Sequence, residues 1–221
     1  MCGRFTLQSA PRVKLNGVRS SDLPFEARYN IAPTQEVFVI ADFGSGLELR
    51  KLVWGFVPAR SNEGKIFINV RAETIDIKPS FSEAFRRRRC LVLADGFFEW
   101  KRAGKSKQPY YFQLNDQSTF AFAGIWESRG PQKTCAIVTT TANEAMEAIH
   151  DRMPLILSPE NYQLWLDPKT DLASLRKLFA PSPASILSSH PVSTAVNSAQ
   201  NDSRDLIKRE DCEIGTTPSL F

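Results

Sequence analysis

Residues 36–54 read EVFVIADFGSGLELRKLVW. The first eight residues are rich in β-branched and aromatic side chains, GSG supplies a turn, and LELRKLVW partly alternates between charged and apolar positions. Two short strands joined by a glycine-rich turn are expected here, forming a hairpin. The same grammar continues outward. KIFINVRAE, CLVLADGFFEW, PYYFQLN, STFAFAGIWE and TCAIVTT are further β-branched and aromatic runs broken by Gly, Asn and Asp. Helical segments are fewer and fall between strands without the regular alternation of a doubly wound sheet. The expected class is α+β: a single domain on a curled, mostly antiparallel β-sheet or barrel-like core with flanking short helices.

The helical signals are local. In TTANEAMEAIH, Thr141 and Glu144 match a capping box, with Met146 and His150 one turn apart near the far end. SPENYQLWL places Ser158 at an N-cap and Pro159 at the first helical position, and TDLASLRKLF predicts a short helix that stops before PSP. GVRSSDLPFEARYNIAPTQ reads as an extended surface loop restrained by Pro24 and Pro33. The main domain is expected over 2–197, followed by a polar, partly mobile tail at 198–221.

With 221 residues the chain can bury one sizeable core. Apolar residues at 42% and 15 phenylalanines exclude a disordered chain. No apolar run approaches a membrane span and no basic stretch leads into one, so a cytoplasmic protein is expected. Four scattered cysteines without a CxxC pair, and only two histidines, argue against a zinc site or a disulfide framework. No cofactor or metal is expected. Residues 1–110 carry 19 Lys plus Arg against 11 Asp plus Glu, whereas the remainder carries 9 against 13, which favours a polyanion on the first half.

The candidate chemistry begins at MCGR. Removal of Met1 would expose Cys2 with an α-amine and a thiol on adjacent carbons. An aldehyde captured by the amine as an imine can then be closed by the sulfur into a five-membered thiazolidine. Glu99 lies in DGFFEW among Phe97, Phe98 and Trp100; an enclosed carboxyl there would hold its proton more tightly and move it near neutral pH. Strict alternation instead places Glu99 opposite Phe98 and Trp100, on an outward face. His150 closes a predicted helix, where a cation is favoured, and is a better candidate than His190. Asn69 in INVRAET can orient a reactive group through both amide functions, and Arg71, on the same strand face, can bind phosphate; ordinary sheet bonding is the alternative. FRRRRC, with Arg86 and Arg87, offers phosphate contacts or a solvated helix face, and Trp54 in WGFVPAR a stacking platform or a core residue.

MCGR, NIAPTQ, WGFVP, NVRAET, CLVLADGFFEW and AIHDRMP together resemble the motif series of the SRAP family, the SOS-response-associated abasic-site processing proteins, over nearly all of residues 2–197. The resemblance implies the SRAP fold and catalytic roles for Cys2, Asn69, Glu99 and His150. It implies an activity as well: covalent, slowly reversible thiazolidine capture of an abasic site in single-stranded DNA, with release of the initiator methionine and abasic-site lyase chemistry. Under this reading DNA is contacted by Arg4, Trp54, Arg71, Arg86 and Arg87, and the protein is a monomer with no membrane and no obligate protein partner. Two departures stand out: Arg60 occupies the place where many members carry a second tryptophan, and LADG replaces the commoner PADG. The competing readings are a cysteine or N-terminal-nucleophile hydrolase using Cys2, His150 and Asn69, and a noncatalytic single-stranded nucleic-acid-binding module.

Overall fold

The structure, a computed structural model, describes residues 2–11, 13–20, 23–59, 64–104 and 106–210. Among them are fourteen strands: β1 (Arg4–Leu7), β2 (Arg19–Ser20), β3 (Arg28–Ile31), β4 (Glu36–Asp42), β5 (Leu47–Trp54), β6 (Asn69–Arg71), β7 (Arg89–Ala94), β8 (Gly96–Ala103), β9 (Ser106–Leu114), β10 (Phe120–Arg129), β11 (Gln132–Thr141), β12 (Arg152–Pro154), β13 (Ile156–Leu157) and β14 (Leu187–Pro191). Four short helices flank them: α1 (Pro79–Arg87), α2 (Glu144–Glu147), α3 (Tyr162–Leu166) and α4 (Leu172–Lys177).

The hairpin expected at 36–54 forms, with β4 antiparallel to β5 from Glu36 opposite Val53 to Asp42 opposite Leu47. β7, β10 and β11 follow across the sheet, and Thr134 and Cys135 of β11 pair in parallel with Val53 and Trp54 of β5. That last pairing closes β5, β4, β7, β10 and β11 into a ring and leaves those strands no bare edge there. Further along β11, the short β6 adds in parallel, with Asn69 opposite Ile137 and Arg71 opposite Thr139. The α+β, barrel-like and mostly antiparallel expectation holds, with parallel pairings only of β11 to β5 and β6 and of β2 to β5 among the described residues.

A second sheet, ordered β14-β9-β8-β1-β3, is continuous with the first through Asp95, the one residue between β7 and β8. Asp95 ties the N-terminal strand to this corner: its amide donates to Thr6 O at 3.0 Å and its Oδ1 accepts from Thr6 Oγ1 at 2.6 Å. Tyr111 O–H joins the same buried group, 3.0 Å from both Thr6 Oγ1 and Gln8 Nε2. Gly96 allows this approach, because a Cβ there would lie 2.0 Å from the Tyr111 oxygen.

The main core runs between the sheets, from Phe5 and Trp54 to Phe97, Phe112 and Phe122, whose rings meet edge-on or stacked. A smaller cluster of Phe98, Tyr111, Val192, Val196 and Leu206 covers the other face of β8 and β9. Both faces of β8 are therefore occupied, and this settles Glu99: it does lie opposite Phe98 and Trp100, but that face is turned to the interior, and Glu99 is 2% exposed.

Two local expectations are corrected. The α2 cap is Asn143, whose side chain accepts from Met146 N, while Thr141 stays in β11; α2 is a single turn, and His150 lies beyond it, its amide donating to Met146 O at 2.9 Å. The stretch read as a surface loop contains β3, where Asn30 is fully buried and its Nδ2 donates to the carbonyls of Val196, Ser198 and Asn201. Those bonds dock the start of the polar tail. Asp202 pairs with Arg28, Leu206 is buried, and Glu210 N donates to Pro191 O at 2.9 Å. Residues 211–221 of that tail, Arg60 and Met1 lie outside the described residues. Among the described residues no helix is long and apolar enough to cross a membrane.

Candidate functional site

Cys2 lies one residue before β1, separated from it by Gly3, and is completely buried. β1 is held on both sides: Arg4 faces Phe98 and Phe5 faces Phe97 across to β8, and Phe5 faces Ile31 in β3. Continuing the β1–β8 register by one step brings Gly3 alongside Glu99, so the sheet itself delivers the N-terminus to the carboxyl. From the other sheet, Asn69 Nδ2 donates to Cys2 O at 2.7 Å. Asn69 sits at the start of β6, fixed by its pairing to β11, and its Oδ1 is buried without a hydrogen-bond partner among the described residues. One amide thus holds the backbone of Cys2 and keeps a second, unused acceptor beside the terminus.

Burial, and then the negative charge of Glu99, push the Cys2 thiol well above its usual range, so it is held as S–H. Its Sγ makes a long contact of 3.8 Å to Arg4 O. Burial also raises Glu99, with the positive charge of His150 pulling in the opposite direction. A carboxyl of that kind can hold a proton at higher pH than an exposed one and give it up when a cation approaches.

His150 reaches the site from the loop after α2. Its Nδ1 lies 2.9 Å from the amide of Arg152 and 2.9 Å from Asp151 Oδ1. Only one of these can be served at a time: a ring accepting from the amide carries its proton on Nε2, whereas a ring protonated at Nδ1 turns to Asp151. Arg152, which sequence reasoning did not single out, is 8% exposed and forks onto Glu73, at 2.5 and 2.9 Å, and onto Thr139 O at 2.6 Å. The available signal was an arginine two residues after the histidine in HDRMP, followed directly by apolar Met153 and Pro154. A cavity of about 200 Å³ lined by Glu99, Trp100, Arg102, Lys107 and His150 opens this site to solvent. The four residues read as catalytic therefore come together from β8, β6, the α2–β12 loop and the N-terminus. Among the described residues no group of three or more His, Cys, Asp or Glu is disposed to hold a metal ion.

The family model described as SOS response associated peptidase (SRAP) matches residues 1–199. The chain belongs to the SRAP family. It is 42% identical to the abasic site processing protein YoqW of Bacillus subtilis (strain 168), over 94% of this chain and 99% of that one. To the abasic site processing protein YedK of Escherichia coli (strain K12) it is 32% identical, with the same coverage. Among solved structures it superimposes on a phage-related protein from Bordetella bronchiseptica with a TM-score of 0.70 at 32% identity, covering 86% of this chain and 94% of that one. A protein from Bacteroides thetaiotaomicron gives 0.73 at 28% identity, covering 82% and 85%.

The DNA-contacting set expected for this SRAP chain is dispersed. Arg71 is exposed and shares a strand face with Asn69, since Val70 between them points into the core. Arg86 and Arg87 are exposed at the end of α1, while Arg88 pairs with Glu127 and Arg89 is buried against the carbonyls of Phe85, Arg86, Trp165 and Asp167. The FRRRRC run is thus half structural. Arg4 is half-buried, and its guanidinium donates to Asn30 Oδ1, Val196 O and Asn197 O. Trp54 is wholly buried beside Phe5, with its indole N–H on Ile68 O at 2.8 Å. It supports the wall of the barrel and offers no face to a base, which corrects its reading as a stacking platform.

Proposed function

We propose that this protein captures abasic sites in single-stranded DNA by forming a thiazolidine with Cys2 once Met1 has been removed. The observation that carries the proposal is the placement of Cys2, its carbonyl held by Asn69 Nδ2 at 2.7 Å beside the buried carboxyl of Glu99. The names of its relatives, abasic site processing proteins, support the substrate.

The ring-opened deoxyribose presents an aldehyde at C1′. The Cys2 α-amine attacks C1′, the carbonyl oxygen takes up protons, and water leaves to give the imine. Glu99 supplies a proton for that departure. The Cys2 sulfur then adds to the imine carbon, the thiol proton passing to nitrogen, so one water is lost overall and no oxidant or metal takes part. Reversal adds the water back. His150 assists opening of the sugar ring and reversal, and Asn69 Oδ1 orients the amine. Release of Met1 is peptide-bond hydrolysis consuming one water, and strand cleavage at the lesion would be the lyase activity. An unpaired strand is the favoured substrate because reaching C1′ from a recessed site then costs no base-pair opening.

The raised thiol argues against the cysteine-hydrolase reading, which needs an accessible thiolate. Intact mass spectrometry tests the proposal: the purified protein is measured alone and after mixing with a single-stranded oligonucleotide carrying one abasic site. The expected result is a chain lacking Met1 that gains the oligonucleotide mass minus one water, with Cys2→Ala gaining nothing. A processed chain that forms no adduct would sink it.

A further inference from the structure

Beyond Glu99 the β8–β9 hairpin projects past the site. Its register runs Glu99 opposite Tyr110, Trp100 opposite Pro109, Lys101 opposite Gln108 and Arg102 opposite Lys107. The turn segment, KRAGKSK at 101–107, holds four cations and no acid. Arg102 and Lys107 are exposed, and neither has a carboxylate partner among the described residues. Like charges directly opposite one another in a sheet are destabilising. Most other arginines near the core elements are already engaged by protein acceptors, as Arg4, Arg88, Arg89 and Arg152 are.

The position of this unneutralised pair is what gives it meaning. Arg102 and Lys107 line the same 200 Å³ cavity as Glu99 and His150. Trp100, whose indole donates to Asn197 Oδ1 at 2.7 Å, fixes the wall between them. A strand whose C1′ is seated at Cys2 must carry its sugar–phosphate backbone out through that opening.

We propose that the β8–β9 hairpin is a phosphate clamp in which Arg102 and Lys107 together hold a backbone phosphate of the DNA strand adjacent to the captured sugar. This rests on the reading of the site as one for abasic DNA. The guanidinium can fork onto two non-bridging oxygens and the ammonium adds a point charge, so one phosphate relieves the repulsion between the two side chains while anchoring the strand. With Arg71 on β6, in the other sheet, the hairpin gives the lesion a basic contact on each side of the seam where Cys2 lies.

The test uses the full chain and its Arg102→Gln/Lys107→Gln variant. Equilibrium binding is measured to a single-stranded oligonucleotide bearing a tetrahydrofuran abasic analogue, which has no aldehyde, across a range of salt concentration. Each phosphate contact removed from a single strand lowers the slope of log K against log salt by about 0.7, so the double variant, which gives up one phosphate, should lose about 0.7. Its adduct formation on a true abasic oligonucleotide should slow at limiting DNA and recover at saturation, with a melting temperature no lower than the wild type's. A double variant whose slope equals the wild type's, while the wild type does form the adduct, overturns the clamp and leaves the abasic reading standing. A wild type that neither binds nor forms an adduct overturns both.

Discussion

Replacing Asn69 separates positioning from folding. Asn69→Ala deletes the 2.7 Å bond to Cys2 O and strips a buried carbonyl of that donor. Leaving a buried acceptor unsatisfied costs about 1–3 kcal/mol. Asn69 Oδ1 is itself buried and without a partner among the described residues, so deleting it removes an existing penalty and the net loss falls to about 1 kcal/mol. For a chain of this size that is a fall of roughly 2–4 °C in melting temperature. Against a typical stability of about 5–15 kcal/mol, such a loss leaves the protein almost entirely folded. Reaction should suffer far more, because a reacting group displaced by about 1 Å can lose about 100-fold in rate. The assay is single-turnover adduct formation on a labelled abasic oligonucleotide at saturating protein, read on a denaturing gel, beside a thermal melt. Asn69→Asp keeps the shape but sets an acceptor against the Cys2 carbonyl, and should be at least as slow. If Asn69→Ala melts lower as expected yet forms adduct at the wild-type rate, the bond to Cys2 O is structural and the positioning role is wrong.

Glu99→Gln should slow adduct formation while stabilising the fold at neutral pH. Burial raises the folded-state pKa of Glu99, so wild-type stability falls as pH climbs from the unfolded carboxyl value towards the raised folded one; the variant's advantage in melting temperature should be absent near about pH 4 and present at pH 7, and an equal difference at both would refute it. Gly96→Ala should destabilise by about 1–3 kcal/mol or more, because its Cβ would lie 2.0 Å from the Tyr111 oxygen and dislodge the ring from Thr6 and Gln8; an unchanged denaturation midpoint would show that the corner is not packed this way.

What could be read from the sequence was what local periodicity and short motifs encode. The 36–54 hairpin is written in β-branched runs and a GSG turn, and Ser158 with Pro159 stands at the start of a helical turn as expected, although the Ser158 side chain makes no capping bond. Ring closure was not legible, since the β5–β11 pairing joins residues about eighty positions apart and is parallel, which no adjacent turn can signal. Glu99 shows the limit most clearly. Alternation placed it correctly opposite Phe98 and Trp100, but which face looks inward depends on a C-terminal segment that covers the other side. The surface-loop reading around Asn30 failed for the same reason, and of the two readings of Trp54 only the core one survives, because long-range partners bury both residues. The four catalytic candidates could be named because each sits in its own short motif, while Arg102 and Lys107 drew notice only when the hairpin set them on the same cavity as Glu99 and His150.

The burial of Cys2 also fixes an order of events in the proposed reaction. A thiol with no exposure, raised by its surroundings, is a poor first nucleophile towards an aldehyde arriving from solvent. The α-amine created by loss of Met1 has a reference pKa of about 7.7–8.0 and needs no neighbouring base to be partly neutral near pH 7, so it attacks first. Once the imine exists, the sulfur adds within the same residue, and its proton passes to the nitrogen a bond or two away rather than to water; the raised thiol then costs little, because no free thiolate has to accumulate. The same burial protects the closed ring, since reversal requires water to reach C1′ with Glu99 placed to return the proton. In the proposed reaction, then, an adduct that is long-lived but reversible is the expected outcome of a nucleophile buried at the start of β1 beside a carboxyl that is buried with it.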